Sequence, residues 1–497
     1  MGMLLGNFFL QFLCRDVFLE RLGDEVLGLN TTATNLLQFL NIAELGIGAA
    51  IGFSLYRPLY ENDTRKINEI ISLQGHLYRR IAFIVIAGAL ILSAFFPLIF
   101  AKMKLPLWYA YASFGVLLIS SLLSYFVNYK EVLLTADQKE YKIAYSYRGC
   151  MMARLAVQYF LVKYCDNPYI WWLVVEGGFA VIASFALNIM IRHTYPFLRT
   201  GVSTAKELKN KYPEIVKKIK QIFFHKISTF VLQQTSPLII YAFASLTLVT
   251  YYGNYMMVVT GLTLILNALF NSIGAGIGNL VATGDKKRIM SVFDELFSIR
   301  FYFSAGAAIV LFILTPSFIS LWIGSQYLLP QSTLLILCIT LFLNASRNSV
   351  DSYINAYGLF QDVWAPVTEA CLNLGLSILF GWIWGLNGIL MGVVASLVLI
   401  VFIWKPYFLF HWGMKEPIGI YIRIYLCHLA ALGAACLALW GIMPAISGTQ
   451  LTGVMDFVLL TLKTVGTAGI ILYATQMTLT RGMRLFTRRI ISRIPHR

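Results

Sequence analysis

An arginine in the middle of an apolar run demands either a partner or a purpose. Arg154 lies about 11 residues into the apolar run 143–164, which at about 1.5 Å per residue is mid-depth in a layer roughly 30 Å thick. Gln158 follows one helical turn later, on the same face. Arg148 sits nearer the end of that run, where its long stem reaches the interface. Arg347 has Asp351 four residues on, the spacing of an intrahelical ion pair. An unpaired arginine at mid-depth costs at least a few kcal/mol. Glu44, Glu176 and Glu369 are the candidate partners for Arg154. If they neutralise it, Arg154 is structural; if they do not, it lines a cationic cavity that takes an anion.

Polar stripes run along several otherwise apolar segments. They are Asn7, Gln11 and Arg15; Thr31, Asn35, Gln38, Asn41 and Glu44; and Lys226, Thr229, Gln233 and Ser236. Further stripes are Thr260, Thr263, Asn267 and Asn271, and then Asn344, Arg347, Asn348, Asp351 and Asn355. Spacings of 3 and 4 put each set on one helix face. Turned to lipid such a face is costly, so each must meet another helix or water. Hydrogen-bond glue between helices explains any one stripe. Stripes at equivalent places in both halves of the chain favour a shared hydrated cavity. There Gln38, Asn41, Gln233, Asn267 and Asn271 would bind hydroxyl groups, while arginines neutralise phosphate.

Catalytic sets are missing. No Gly-x-x-x-x-Gly-Lys-Ser/Thr loop, no Gly-x-Ser-x-Gly elbow and no His-Glu-x-x-His is present. The seven cysteines are scattered, without Cys-x-x-Cys or zinc spacing, so no metal site is indicated. The chain reads as a non-enzyme without a cofactor.

The elements that position these residues follow from composition. Of 497 residues, 58% are hydrophobic and only 12% charged, against about 25% charged in soluble proteins. A water-soluble fold is excluded. Apolar runs of about 20 residues recur about fourteen times, and lipid forces them into helices. The expected fold is an all-α polytopic membrane protein with about 14 transmembrane helices. The pair 363–410 is split at Gly-Leu-Asn-Gly, 385–388. The net charge of +16 lies in particular loops rather than in a nucleic-acid patch. Segment 192–226 holds nine Lys or Arg against two Glu, and the tail from Arg481 holds six Arg and no acid. Positive loops stay inside, so both termini are expected in the cytoplasm.

Internal repetition divides the chain. LGIGAAIG (45–52) followed by NDTRKINEI matches SIGAGIG (272–278) followed by ATGDKKRIMSVFDEL. LLTADQKEY (133–141) matches INAYGLFQD (354–362) in position. The expected organisation is a six-helix bundle over 1–194, a basic linker at 195–221 and a second six-helix bundle over 222–412. Two further helices over 413–480 and a basic tail at 481–497 complete it. Paired bundles of this kind are a transporter architecture.

RDVFLERLGDEVLGLNTTATNLLQFLNIAELGIGAAIGFSLYRPLYENDTRKINEI (15–70) resembles the opening of the polysaccharide-unit flippases of O-antigen, capsule and exopolysaccharide assembly. These belong to the multidrug/oligosaccharidyl-lipid/polysaccharide (MOP) exporter superfamily. The shared phrases are the arginine closing the first helix, Leu-Gly-Leu-Asn, Ala-Glu-Leu-Gly-Ile-Gly and Leu-Tyr-x-Pro before Asn-Asp. TADQKEY (135–141) is similar to that family's turn between helices 4 and 5. The resemblance implies two bundles alternating between inward- and outward-open states in the bacterial cytoplasmic membrane. Its implied cargo is an oligosaccharide unit on undecaprenyl pyrophosphate, received in a cationic lumen and delivered for polymerisation. It implies membrane lipids as surroundings, a polysaccharide polymerase as partner and H+ or Na+ as coupling ion. Arg15 and Glu44 fall on the motif; Arg148, Arg154 and Arg347 join them from depth alone. Alternatives are a cation-coupled multidrug exporter of the same superfamily, which wants an acidic cavity, and a lipid II flippase. On the cationic-lumen reading, Arg154→Ala abolishes transport and Arg154→Lys keeps part of it.

Overall fold

The computed structural model describes the backbone of residues 2–44, 46–270, 273–359, 361–362, 364–447 and 453–492. Side chains are described over the same residues except 2–5, 8, 43, 221, 224–234, 273–275, 279, 282 and 443–447. Every regular element among these is a helix. The chain is an all-α, multi-pass membrane protein. Its contacts divide it into two compact units, Met1–Thr250 and Tyr251–Arg497.

The first unit holds α1 (Gly2–Leu22), α2 (Asp24–Leu40), α3 (Ile47–Tyr60), α4 (Thr64–Ala94) and α5 (Trp108–Phe126). It continues with α6 (Gly149–Tyr164), α7 (Pro168–Thr194) and α8 (Pro213–Phe243). The next helix, α9 (Leu246–Phe270), leads into the second unit. There follow α10 (Lys286–Trp322), α11 (Gln331–Ala356), α12 (Trp364–Ser396), α13 (Ile418–Ser447), α14 (Val454–Leu479) and α15 (Arg481–Ile491).

Among the described residues, nine helical stretches are long and apolar enough to span a bilayer. One of them, Trp364–Met414, folds back on itself at Gly385, whose φ of 56° and ψ of −134° no helix contains. That turn lies where Gly-Leu-Asn-Gly marks it. Further apolar runs are shorter or interrupted: α2 and α3 are separated by a break, and α6 has only 16 residues. Together they are consistent with about fourteen passes.

Local chemistry sets the helix ends. Asp63 and Asp285 cap α4 and α10 at matching points of the repeat, each side chain accepting a backbone N–H at 3.0 and 3.1 Å. Each cap follows a left-handed residue, Asn62 (φ 54°) and Gly284 (φ 69°). The second repeated phrase also has one local structure. Lys139 N–H reaches back to Leu134 and Leu359 N–H to Ile354, the six-to-one bond that closes a helix over a left-handed residue. Gln138 and Gly358 are those left-handed residues.

The basic segment 195–221 has local structure of its own. It contains a short helix, Ala205–Lys211, with a reciprocal capping box between Thr204 and Glu207, and it runs into α8 at Pro213. It is laced to α4: Asn68 binds Phe197 and Arg199, Ser72 accepts from Gly201, and His76 meets Ser203. Buried Glu69 accepts from Lys211 at 2.7 Å and Tyr212 at 2.5 Å. α8 then packs against α2 and α3 within the first unit. The final helices α13 and α14 pack on each other, and both α14 and α15 pack on α10.

The core of the first unit gathers Ile51, Leu55, Ile71, Leu73 and Val85 around Tyr78, Tyr125 and Tyr129. That of the second is aromatic: Phe293, Phe297, Phe301, Tyr353 and Phe410. At the junction of α2 and α3, Gly46 has φ 95°, and a Cβ there would lie 3.0 Å from Ile219 O and from Phe223 N of α8. Both constraints select glycine. Gly46→Ala should therefore cost about 1–3 kcal/mol, read as a lower unfolding midpoint of the detergent-solubilised protein.

Candidate functional site

The site in the first unit is built at a broken helix. α2 ends at Leu40 and the chain tightens into a 3₁₀ turn over Asn41–Glu44. It restarts as α3 after the left-handed Gly46. Non-helical backbone at membrane depth is tolerated where protein buries it or a cavity wets it. Both occur here: α8 covers one side and a cavity of about 470 Å³ opens on the other. Gln38, Asn41 and Glu44 from the broken helix line that cavity, with Thr34 one turn earlier. Ser120, Ser121, Ser124 and Tyr125 of α5 face them.

The polar groups are held in place. Ser121 donates to Asn41 Oδ1 at 3.2 Å, and Tyr78 donates to Glu44 Oε1 at 3.0 Å. The serine stripe of α5 was legible as the only polar residues in ISSLLSYF (119–126), yet it was not among the stripes the spacing rule picked out. Beside the cavity, Glu131 feels the Glu44 carboxylate. Burial first, and then that like charge, hold the Glu131 carboxyl above the usual carboxylate range, while Arg148 acts the other way.

The arginines are paired. Arg148 closes a π-type widening over Ala144–Arg148 and donates to Glu140 at 2.8 Å, half-exposed. Arg154 donates to Glu176 of α7, and Gln158 donates to the other oxygen of that carboxylate at 2.9 Å. Of the three acids considered for Arg154, Glu176 is the partner. The pairing offsets the Arg154 charge between α6 and α7. Arg15 is half-buried on α1, whose neighbour Cys14 contacts Leu155 of α6.

In the second unit, Arg347 pairs with Asp351 at 3.0 Å, as its spacing requires, and with Glu369 at 3.5 Å. Lys405 adds a second cation on Asp351 at 2.9 Å. Arg300 is the residue the sequence reading missed. Only 6% exposed on α10, it lies 4.8 Å over the Phe270 ring, donates to Ser352 at 3.5 Å and is drawn to Asp351. Three cations thus surround two carboxylates. Arg300 opens the apolar run at 300, where it reads as a boundary residue; the long α10, beginning at Lys286, puts it well inside.

Asn267 is exposed on α9. Asn271 and the side chains of Gln233 and Lys226 lie outside the described residues. Among the described residues, no group of three or more His, Cys, Asp or Glu is arranged to hold a metal.

No protein-family profile matches the sequence, and no curated protein sequence does. Solved structures do. The chain superposes on the lipid II flippase MurJ in its inward closed conformation with a TM-score of 0.64, at 15% identity over 98% of each chain. It matches an inward-facing multidrug resistance MATE family transporter of the MOP superfamily with a TM-score of 0.60, at 11% identity over 82% of this chain and 95% of the other. VcmN, a MATE transporter of Vibrio cholerae, matches at 0.51 and 14% identity, over 83% of this chain and 95% of its own. Likeness at these identities establishes the fold alone, the one these flippase and transporter structures share.

Removing one partner of the Arg154–Glu176 pair should cost roughly 3–5 kcal/mol, whereas Leu at both positions should recover most of it. Unfolding midpoints of Arg154→Leu, Glu176→Leu and the double variant check this. A double variant that folds and transports confirms the structural role; one that folds without transporting returns Arg154 to the cargo.

Proposed function

We propose that this protein is a flippase for lipid-linked glycans, moving oligosaccharide units on undecaprenyl pyrophosphate from the inner to the outer leaflet of a bacterial cytoplasmic membrane. The basic segments 192–226 and 481–497 support cytoplasmic termini by the positive-inside rule. The observation that carries the reading is the wall of the first unit's cavity. Thr34, Gln38, Asn41, Ser120, Ser121 and Ser124 supply amides and hydroxyls, each both donor and acceptor, and this is what sugar hydroxyls need. The fold supports the transport class.

A multidrug exporter is the second reading, favoured by Glu44, the one charged group among the described cavity-lining residues. Lipophilic cations, however, are held by apolar and aromatic walls. Here Tyr125 is the one aromatic side chain in the lining. A lipid II flippase shares the chemistry of the first reading, and the 98% overlap with MurJ, last two helices included, favours it as the nearest variant.

Sidedness of the glycan is the test. A membrane-impermeant sugar probe applied to spheroplasts should find lipid-linked oligosaccharide outside when the protein is present and hidden when it is depleted. Equal exposure in both overturns the flippase reading. Rescue of cells depleted of their lipid II flippase would assign lipid II as the cargo instead.

A further inference from the structure

The cavity between α2 and α5 carries a charge pattern that its hydrogen-bonding walls do not by themselves explain. Its described lining residues include four hydroxyl groups from Thr34, Ser120, Ser121 and Ser124, two amides from Gln38 and Asn41, the Tyr125 phenol, and a single ionisable acid, Glu44. None of these lining residues is a cation. The carboxylate of Glu44 is fixed rather than free to swing away, because Tyr78 donates to one of its oxygens at 3.0 Å.

The charges just beyond the wall do not reverse that sign. Glu131 is close enough to sense Glu44, and Arg148, which acts on Glu131, donates to Glu140. Of the charges that act on Glu131, two are carboxylates, Glu44 and Glu140, and one is an arginine. Arg154 is bound to Glu176. A negatively charged group brought into the cavity would therefore meet a fixed like charge in partly dehydrated surroundings, with no described cation to offset it.

We propose that this cavity is a sugar subsite that accepts rings bearing hydroxyl, acetamido or free amino groups and rejects uronic acids, with Glu44 as the residue that discriminates. The inference rests on the glycan-cargo reading and narrows it to neutral or amino-bearing units. It also assigns separate duties to the two signs of charge. Glu44 accepts two hydroxyls of one ring, or pairs with an ammonium, as carboxylates do for either donor. The amides of Gln38 and Asn41 and the α5 serines exchange donors and acceptors with the remaining positions. At about 470 Å³ the space lies within the range of small-molecule sites, roughly 300–1,000 Å³, and suits a short oligosaccharide rather than a whole repeat.

The experiment uses the purified full-length protein and three soluble probes of equal length. These are an N-acetylglucosamine disaccharide, its de-N-acetylated diamine and a glucuronate-containing disaccharide, followed by titration calorimetry. The neutral and amino probes should bind at least tenfold more tightly than the uronate. Glu44→Gln, which keeps the bond from Tyr78, should shrink that gap to threefold or less by improving uronate binding. Gln38→Lys changes an exposed side chain of the lining and provides a second variant tolerant of folding. It should invert the preference. Uronate binding as tight as neutral in the unaltered protein, or a ratio indifferent to both variants, overturns the selectivity. If sidedness of the glycan still depends on the protein, only this inference falls. If no sugar binds while a lipophilic cation does, and Glu44→Gln abolishes that binding, both this inference and the glycan-cargo reading fall.

Discussion

In hydrocarbon, a backbone N–H or C=O has no solvent to fall back on, and everything distinctive about this chain depends on that constraint. Helices satisfy it automatically, which is why the described residues contain no other regular element. The 3₁₀ turn over Asn41–Glu44, where a span of the first unit breaks, lies at the polar cavity. Breaking the helix frees carbonyls and amides that must be covered or wetted. Covering comes from α8, pressed so closely against Gly46 that an added methyl would lie 3.0 Å from its backbone. Wetting comes from the cavity. A functional pocket and a backbone defect are thus one feature seen from two sides.

The same solvent makes buried charge a matter of pairing. Arg154 with Glu176, and Arg347 with Asp351 and Glu369, each place a cation against a carboxylate within one unit. Pairs of this kind are costly to break and cheap to replace, so they specify how helices register rather than how strongly they hold. Where numbers do not match, as around Arg300, the surplus charge is confined beside an aromatic ring and a hydroxyl.

Much of this was readable in the letters of the sequence, and the rest failed for physical reasons. Apolar length gave the spans, Gly385 gave the turn, and the Asp63 and Asp285 caps follow from the repeated phrase. Gln38, Asn41 and Glu44 do share one cavity, because a spacing of 3 holds whether the turn is α or 3₁₀. Partnering across helices was not readable: Glu176 is 22 residues from Arg154 and Glu369 was an equal contender. Arg300 was missed because hydropathy marks where an apolar run begins, while α10 extends beyond it at Lys286. The polar character of segment 195–221 was readable, but its ties to Asn68, Ser72 and Glu69 were not.

The reversal at Gly385 has a consequence for how the protein is made. Two apolar stretches are joined with almost no intervening chain, and Gly388 and Gly392 let the returning helix lie against Phe380 and Ser377 with no side chain between. Neither stretch can enter the bilayer and leave the other behind, since no loop is long enough to remain in water between them. During synthesis the pair must therefore partition into lipid as one hairpin, already folded against itself. A hairpin that crosses and returns leaves the final helices starting from the side on which it began.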